Sequence, residues 1–127
     1  MPIDMLEAAV LRRLLAGTHP VLIALERQLA GIEVTERKFT GVGFYTSFSV
    51  SETIAPAIVP AGGSPFGDVA ASIPELKHGA GFLLWLRNGR IHELEGYAYD
   101  EPWPEKITEF SLSYLELDRR SVLAKLG

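Results

Sequence analysis

The stretch that decides the fold is Ala80–Tyr97, which reads AGFLLWLRNGRIHELEGY. Within it, Asn88-Gly89 lies between two apolar runs rich in residues that favour strands. This dipeptide tolerates the positive φ angles that both central positions of a type I′ turn require. The stretch therefore predicts a β-hairpin with a two-residue turn.

The register of this hairpin follows from counting outward from the turn. The expected facing pairs are Arg87/Arg90, Leu86/Ile91, Trp85/His92, Leu84/Glu93, Leu83/Leu94 and Phe82/Glu95. One face then carries Leu83, Leu94, Trp85, His92, Arg87 and Arg90, and the other carries Phe82, Leu84, Leu86, Ile91, Glu93, Glu95 and Tyr97. Large apolar groups on both faces indicate that both are at least partly covered. A three-residue turn would shift every pair.

Two helical patterns precede the hairpin. Asp4 and Glu7 have the spacing of a capping box, and apolar residues follow at helical spacing until Gly17, a typical C-terminal stop. Pro20 suits the first turn of a second helix, whose apolar stripe ends at Ile32. The short link between the two patterns favours an antiparallel helical hairpin.

Further strands are predicted on both sides of the central hairpin. Phe39–Val50 alternates with period two and predicts a strand or a bent pair of strands, and Asp68–Leu76 and Phe110–Tyr114 predict two more. Ala55–Gly67 is rich in Pro and Gly and predicts a surface loop. Asp118 is placed to cap a short C-terminal helix. The expected fold is α+β, with the helical hairpin packed on a mainly antiparallel sheet of about five or six strands.

Composition limits the possible functions. The 127 residues predict a single domain, residues 1–127. The absence of Cys excludes disulfides, thiol catalysis and thiolate metal sites. A formal net charge of −4 without a long basic cluster disfavours nucleic acid as the main partner. No apolar run approaches the roughly 18 residues of a membrane span. The N-terminus also lacks the features of a secretory signal, so we expect a cytoplasmic protein.

Glu93 and Glu95 are the candidate residues for acid–base catalysis. Two residues apart on a strand, their Cα atoms lie about 6–7 Å apart, so the carboxylates could share a proton or hold a hard cation. Desolvation beside Phe82 and Leu84 would raise their pKa, as a general acid requires. The alternative is that they are solvated side chains at the sheet margin or partners of a nearby base. His78 is the third candidate, assisting Glu95.

A second candidate set comprises Trp85, Arg87, Arg90 and His92. It could bind an anion or an acidic protein surface, with a guanidinium over the indole. The alternative is that both arginines point into water while Trp85 packs in the core. In its functional form, the set is a protein-contact patch rather than a catalytic site.

The aromatic residues Tyr97, Tyr99 and Trp103 predict a cluster that serves as a ligand wall or as core or interface packing. The histidines lack the spacing of a metal site, so we expect neither a metal nor another cofactor. Neither a phosphate-binding loop nor a Gly-x-Ser-x-Gly motif occurs in the chain.

Three stretches resemble a group of small bacterial proteins. They are Phe39–Phe44 (FTGVGF), His78–Gly81 (HGAG) and Leu94–Pro104 (LEGYAYDEPWP). The resemblance spans most of the chain and implies the group's α+β fold. It implies no catalytic residues, because the group has no established activity. By analogy of size and charge, some such small acidic proteins look like immunity proteins of bacterial toxin systems.

These observations predict a small non-catalytic binding or interaction module with a protein partner or self-association. The expected binding residues are Trp85, Arg87, Arg90, His92, Tyr97 and Trp103. The alternative is a small hydrolase or isomerase that uses Glu95 with Glu93 or His78. Homo-oligomer formation through an exposed sheet edge or through the Val42–Val50 strand is compatible with either function.

Overall fold

Six strands form one antiparallel sheet in a computed structural model that describes residues 1–127. The strands are β1 (Ile32–Phe39), β2 (Gly43–Val50), β3 (Val69–Ser72), β4 (Ala80–Arg87), β5 (Arg90–Ala98) and β6 (Ser111–Tyr114), and the helices are α1 (Met5–Leu14), α2 (Pro20–Arg27) and α3 (Arg120–Leu126). The order across the sheet is β1-β2-β5-β4-β3-β6. The predicted α+β class, the N-terminal helices and the short C-terminal helix are confirmed.

Both N-terminal helices begin where the sequence predicts. The Asp4 carboxylate accepts a hydrogen bond from the Glu7 amide at 2.8 Å, and the Glu7 carboxylate accepts one from the Asp4 amide at 2.9 Å. The predicted capping box is therefore present. At the start of α2, the His19 ring accepts a hydrogen bond from the Val21 amide at 3.1 Å, and Pro20 occupies the first turn. His19 thus has a structural role.

A buried side chain joins the end of α2 to the central hairpin. Gln28, fully buried, begins a short 3₁₀ helix, Gln28–Gly31. The side-chain Nε2 of Gln28 donates to the Gly89 carbonyl at 2.9 Å, and its side-chain Oε1 accepts from the Ile91 backbone amide at 2.9 Å. These two bonds satisfy backbone groups that lie beside the turn, where leaving them unpaired would be costly.

The central hairpin has the predicted turn and, beyond it, a β-bulge that was not predicted. Asn88 and Gly89 have φ angles of 53° and 74°, as a type I′ turn requires. Arg87 pairs with Arg90 and Leu86 pairs with Ile91, as expected. The register then shifts by one residue, and the predicted pairs Trp85/His92, Leu84/Glu93, Leu83/Leu94 and Phe82/Glu95 are wrong. The observed pairs are Trp85/Glu93, Leu84/Leu94, Leu83/Glu95 and Phe82/Gly96.

Burial explains the bulge. With the extra residue, His92, on β5, the side chain of Leu94 joins Leu84 and Phe82 on the helix-covered face. Leu84 and Leu94 are both 0% exposed. Without the bulge, Leu94 would point away from the helices and a glutamate would face Leu84, so the free energy of apolar burial favours the shifted register. Glu93 and Glu95 consequently do not lie beside Phe82 and Leu84.

The sheet therefore has one covered face and one open face. Buried side chains from all three helices join those of the strands in one apolar cluster of 25 residues. The opposite face carries no helix, and most of its central side chains are half-buried. We call this the open face; its central side chains are Tyr45, Ser47, Leu83, Trp85, Glu93, Glu95 and Tyr97.

The predicted strand or bent pair of strands over Phe39–Val50 comprises the last residue of β1, a turn and the whole of β2, because β1 ends at Phe39 and β2 begins at Gly43. β2 is paired on both sides, with β1 and with β5, so it offers no free edge for self-association. The predicted strand Asp68–Leu76 is shorter than expected and ends at Ser72. No helix of the protein has the length and apolar character needed to cross a membrane.

Candidate binding surfaces

One carboxylate organises the centre of the open face. Glu95 lies opposite Tyr45 of β2 and Leu83 of β4. Its Oε2 atom accepts a hydrogen bond from the Tyr45 hydroxyl at 3.1 Å, and its Oε1 atom accepts one from the indole Nε1 of Trp85 at 3.2 Å. The bond to Glu95 raises the pKa of the Tyr45 phenol. A single carboxylate on β5 thus orients two aromatic side chains, one on each of the flanking strands β2 and β4.

The second glutamate of the predicted pair lies on the same face. The hydroxyl of Ser47 donates to Glu93 Oε2 at 3.3 Å, and Trp85 lies opposite Glu93 on β4. Neither Glu93 nor Glu95 forms an ion pair in the structure. The expected apolar surroundings of Phe82 and Leu84 are absent here, because those residues point to the covered face.

The open face is mainly acidic. Facing positions on β1 add Glu33, Glu36 and Lys38, and the end of β4 adds Arg87. Four glutamates therefore share this face with three basic side chains, Lys38, Arg87 and its cross-strand partner Arg90. Lys38 lies 3.7 Å from Glu36, a pair in which both side chains are more than half exposed. Such an exposed pair does little to neutralise the surface.

Tyr97 lies flat on the sheet beside this cluster. Its ring occupies the space above Gly81, where a Cβ atom would lie 2.6 Å from the ring. Tyr99 packs edge-on against it, with ring centroids 5.6 Å apart. Burial raises the pKa of the Tyr97 phenol, and the neighbouring Tyr99 adds to the effect. Gly81 is needed because any larger residue would displace Tyr97.

The structure separates the predicted set of Trp85, Arg87, Arg90 and His92. Arg87 is exposed and belongs to the open face, as does Trp85. Arg90 instead donates through Nη1 to the carbonyls of Ser51 and Ile54, at 3.2 and 2.8 Å. Through these bonds, Arg90 anchors the loop that follows β2. His92 is the half-buried extra residue of the bulge.

His78 is not brought to the glutamate pair. The backbone amides of Lys77 and His78 donate to the Glu101 carboxylate at 2.8 and 2.9 Å. These bonds lower the pKa of Glu101. No hydrogen bond or ion pair joins the His78 side chain to Glu95.

A pocket of about 410 Å³ lies away from the open face. It is formed by the start of α1, the strands β1 and β2, and the segment 103–110. One wall is polar and is built from Asp4, Glu7, Arg37 and Thr46. The other is aromatic and is built from Phe39, Phe44, Trp103 and Phe110.

The polar wall is centred on the buried carboxylate of Glu7. Arg37 donates to it through Nε at 2.8 Å and Nη2 at 2.6 Å, and the Thr46 hydroxyl donates at 2.5 Å. Burial alone would raise the pKa of Glu7, but the bonds from Arg37, the Asp4 amide and Thr46 outweigh it and lower the pKa. Arg37 Nη2 also donates to the Pro2 carbonyl at 2.7 Å. Glu7 is therefore ionised and fully hydrogen-bonded.

The aromatic wall is held by close packing. Phe44 and Trp103 meet edge to face, with centroids 5.3 Å apart. The Trp103 amide donates to the Gly41 carbonyl at 2.7 Å, which fixes the start of the 103–110 segment. Phe44 covers Gly96, where a Cβ atom would lie 2.3 Å from the ring. Trp103, predicted as a binding residue, thus belongs to the pocket and not to the hairpin surface.

Sequence reasoning identified the role of Glu7 in the cap but missed its place in this pocket. A signal was present, because Glu7 lies three and four residues before Val10 and Leu11, on the apolar stripe of α1. A charged residue on such a stripe requires a buried partner. Nothing in the sequence indicated that Arg37 would supply it.

No group of three or more His, Asp or Glu side chains is arranged to hold a metal ion. Comparison of the chain with protein-family models, with curated proteins and with solved structures finds no significant match.

Proposed function

We propose that this protein is a non-catalytic binding module that contacts a basic surface of a protein partner through its open face. The observation that carries the proposal is the Glu95 carboxylate, which holds Tyr45 and Trp85 on a face that no helix covers. These two hydrogen bonds orient two large aromatic groups before any partner arrives.

Preoriented aromatic groups favour protein recognition. Tyr and Trp are enriched at the centres of protein interfaces, where they bury a large area and lose little side-chain entropy. Trp85 is 37% exposed, and Tyr45 and Tyr97 are half-buried on the same face. Because Glu95 already restricts Tyr45 and Trp85, binding orders fewer side chains and costs less entropy.

The charge of the face selects the chemistry of the partner. Four glutamates exceed the three basic side chains Lys38, Arg87 and Arg90, so the open face is acidic and a basic protein surface is complementary to it. Neutralisation of a basic protein, as an immunity-like protein would perform, is one form of this proposal. Arg87 lies at the margin and can contact an acidic group of the same partner.

The enzymatic alternative has less support. A hydrolase or isomerase that uses Glu95 needs a pocket in which Glu95 contacts a substrate. Four pockets of about 270 to 510 Å³ lie on the protein, and none of them is lined by Glu95, Glu93 or His78. Glu95 also binds two aromatic donors, an arrangement that suits orientation of those side chains better than proton transfer.

The test uses the immobilised protein to capture partners from a bacterial lysate, followed by calorimetry with the purified partner. The baits are wild type, Trp85→Ala and the double variant Glu93→Lys/Glu95→Lys. The matched control is Glu26→Lys/Glu75→Lys, which changes the net charge equally at exposed sites on α2 and in the β3–β4 turn.

We expect wild type and control to retain the same basic protein. Trp85→Ala should weaken its binding by about 30-fold, and the charge reversal should abolish it. Affinity should also fall as salt is raised. Retention of the same protein by both open-face variants, or no protein specific to wild type, would contradict the proposal. An activity that Glu95→Gln abolishes would favour the enzymatic alternative.

A further inference from the structure

We propose that the pocket between α1 and the 103–110 segment binds a small organic cation, an amine or quaternary ammonium that carries an apolar group. This site is separate from the open face and goes beyond the function proposed above. Its volume of about 410 Å³ lies within the range of small-molecule sites.

The aromatic wall supplies the apolar contact and attracts a cation. Phe44 and Trp103 belong to this wall, and an ammonium over an indole or phenyl ring is attracted by the negative face of the ring. At the mouth, Phe39 is 70% exposed and Met5 is 79% exposed. Exposed apolar side chains gathered at the rim of a pocket are typical of a ligand site.

The charge of the polar wall selects a cation. Glu7 and Arg37 neutralise each other through two hydrogen bonds. This leaves Asp4, whose Oδ2 atom has only Arg37 Nε at 4.0 Å, and Glu105, which forms no ion pair. The Asp4 side chain is 55% exposed and so is accessible to a ligand. Two carboxylates thus remain without a matching cation at the pocket.

A second depression extends the same site. A pocket of about 270 Å³ is lined by Phe39, Gly41, Trp103, Pro104 and Glu105, four of which also line the larger pocket. A ligand can therefore place its charged group at Glu105 or Asp4 and its apolar group along Trp103. The shape favours an elongated amine over a compact one.

The competing occupant is an organic anion. Arg37 Nη1 forms no hydrogen bond, and a carboxylate ligand could accept from it. Asp4, Glu7 and Glu105 outnumber the single guanidinium, so the local potential disfavours an anion. A matched set of probes distinguishes the two ligand classes directly.

The experiment compares 2-phenylethylamine, 3-phenylpropionate and 2-phenylethanol, which share a phenyl group and differ in charge. Binding is followed in the ¹H–¹⁵N spectrum, because the chain has two tryptophans and therefore two indole signals. Trp85→Phe and Trp103→Phe assign those signals. The signal of Trp85 on the open face serves as an internal control.

We expect the amine, at millimolar concentration, to shift the Trp103 indole signal and leave that of Trp85 unchanged. Asp4→Asn/Glu105→Gln should weaken amine binding by about tenfold, since each carboxylate is partly exposed. Asn is also a good helix N-cap, so this variant keeps the start of α1. The control Glu26→Gln/Glu75→Gln should bind like wild type.

Three results would overturn this inference: no shift of Trp103 with the amine, equal or tighter binding of phenylpropionate or phenylethanol, or unchanged amine affinity in Asp4→Asn/Glu105→Gln. Trp85→Ala separates the two proposals, because it should weaken partner binding by about 30-fold and leave amine binding intact. A negative result for amine binding in the pocket therefore leaves the proposal for partner binding on the open face unaffected.

Discussion

The guanidinium of Arg119 forms two hydrogen bonds with the Asp68 carboxylate, from Nε to Oδ2 at 2.7 Å and from Nη2 to Oδ1 at 2.9 Å. Nη2 and Nη1 also donate to the carbonyls of Leu14 and Ala16 at 2.9 and 2.7 Å, at the C-terminal end of α1. The guanidinium also lies 4.5 Å from the centroid of the Tyr114 ring. One buried side chain thereby joins the start of α3 to α1 and to the sheet.

Replacement of this arginine should strongly destabilise the fold. We expect Arg119→Met to lower the free energy of unfolding by about 3–5 kcal/mol, because it leaves the buried Asp68 without a partner. The neighbouring Arg120 is the control, since its side chain is 79% exposed and its one ion pair, with Glu116, is long at 3.8 Å. Arg120→Met should cost about 0.5 kcal/mol or less. Urea denaturation of both variants measures the difference; equal costs would contradict the assigned role of Arg119.

The bulge can be tested through the cost of truncating leucines. Leu84→Ala and Leu94→Ala should each lower the free energy of unfolding by about 2–5 kcal/mol, because both side chains are fully buried. Leu83→Ala, on the open face, should cost about 1 kcal/mol. A register without the bulge would place Leu83 and Leu94 on one face. Similar losses for those two variants in chemical denaturation would therefore reject the observed register.

Glu7 should contribute to the pH dependence of stability. Its pKa is lowered in the folded protein from the ordinary value of 4.5. Such a group stabilises the fold fully above its unfolded pKa, and the contribution is lost as the pH falls through the lower, folded pKa. Acidification below about pH 4.5 should therefore destabilise the protein partly through Glu7.

The variant Glu7→Gln should remove this acid-side dependence. At neutral pH it should also lower the free energy of unfolding by about 3 kcal/mol, because Arg37 loses its buried partner. Urea denaturation at several pH values between about 3 and 7 gives both quantities. The exposed control Glu26→Gln should behave like wild type. A wild-type pH profile retained in Glu7→Gln would exclude Glu7 as the group that titrates.

The contact between Tyr45 and Glu95 predicts a change in phenol titration. Ionisation of Tyr45 breaks its bond to Glu95 and places two negative charges together, so its pKa lies above the ordinary 10.0. Glu95→Gln should lower that pKa towards 10.0, and Glu93→Gln should change it less, since Glu93 makes the smallest contribution. NMR titration of the assigned Tyr45 ring measures both. A pKa of Tyr45 that is insensitive to Glu95→Gln would exclude the hydrogen bond.

Part of the candidate surface was predictable from the sequence. Trp85, Arg87 and Tyr97 were identified as binding residues, and all three lie on the open face. Tyr97 was expected to share a face with Glu93 and Glu95, but Trp85 and Arg87 were not, because the bulge at His92 reverses the side-chain alternation along the rest of β5. A bulge has no strong local signal here, since no glycine marks it. Its position follows from which leucine can be buried.

The pocket could not be predicted from local sequence patterns, because its polar residues come from distant parts of the chain. Arg37 meets Glu7 across 30 residues, and Arg119 meets Asp68 across 51. The packing of α1 and α3 on the sheet brings the two members of each pair together. Many other charged residues of the chain lie in similar local sequence patterns, so the sequence does not single these pairs out. Arg12 and Arg13, closer in sequence to Glu7, are exposed instead, and the guanidinium of Arg13 lies 5.6 Å from the centroid of the Tyr114 ring.

The sequence by itself determined the start of α1, the start of α2, the type I′ turn at Asn88-Gly89 and the α+β class. Those features depend on capping, ring geometry and positive φ angles within a few residues, so they act before distant segments meet. Only the tertiary structure decided the register of β5 and the partner of Glu7. The β5 register is set by burial of Leu94 against the helices, which removes its side chain from water. The partner of Glu7 is set by the need to pair a carboxylate that the packing of α1 on the sheet buries.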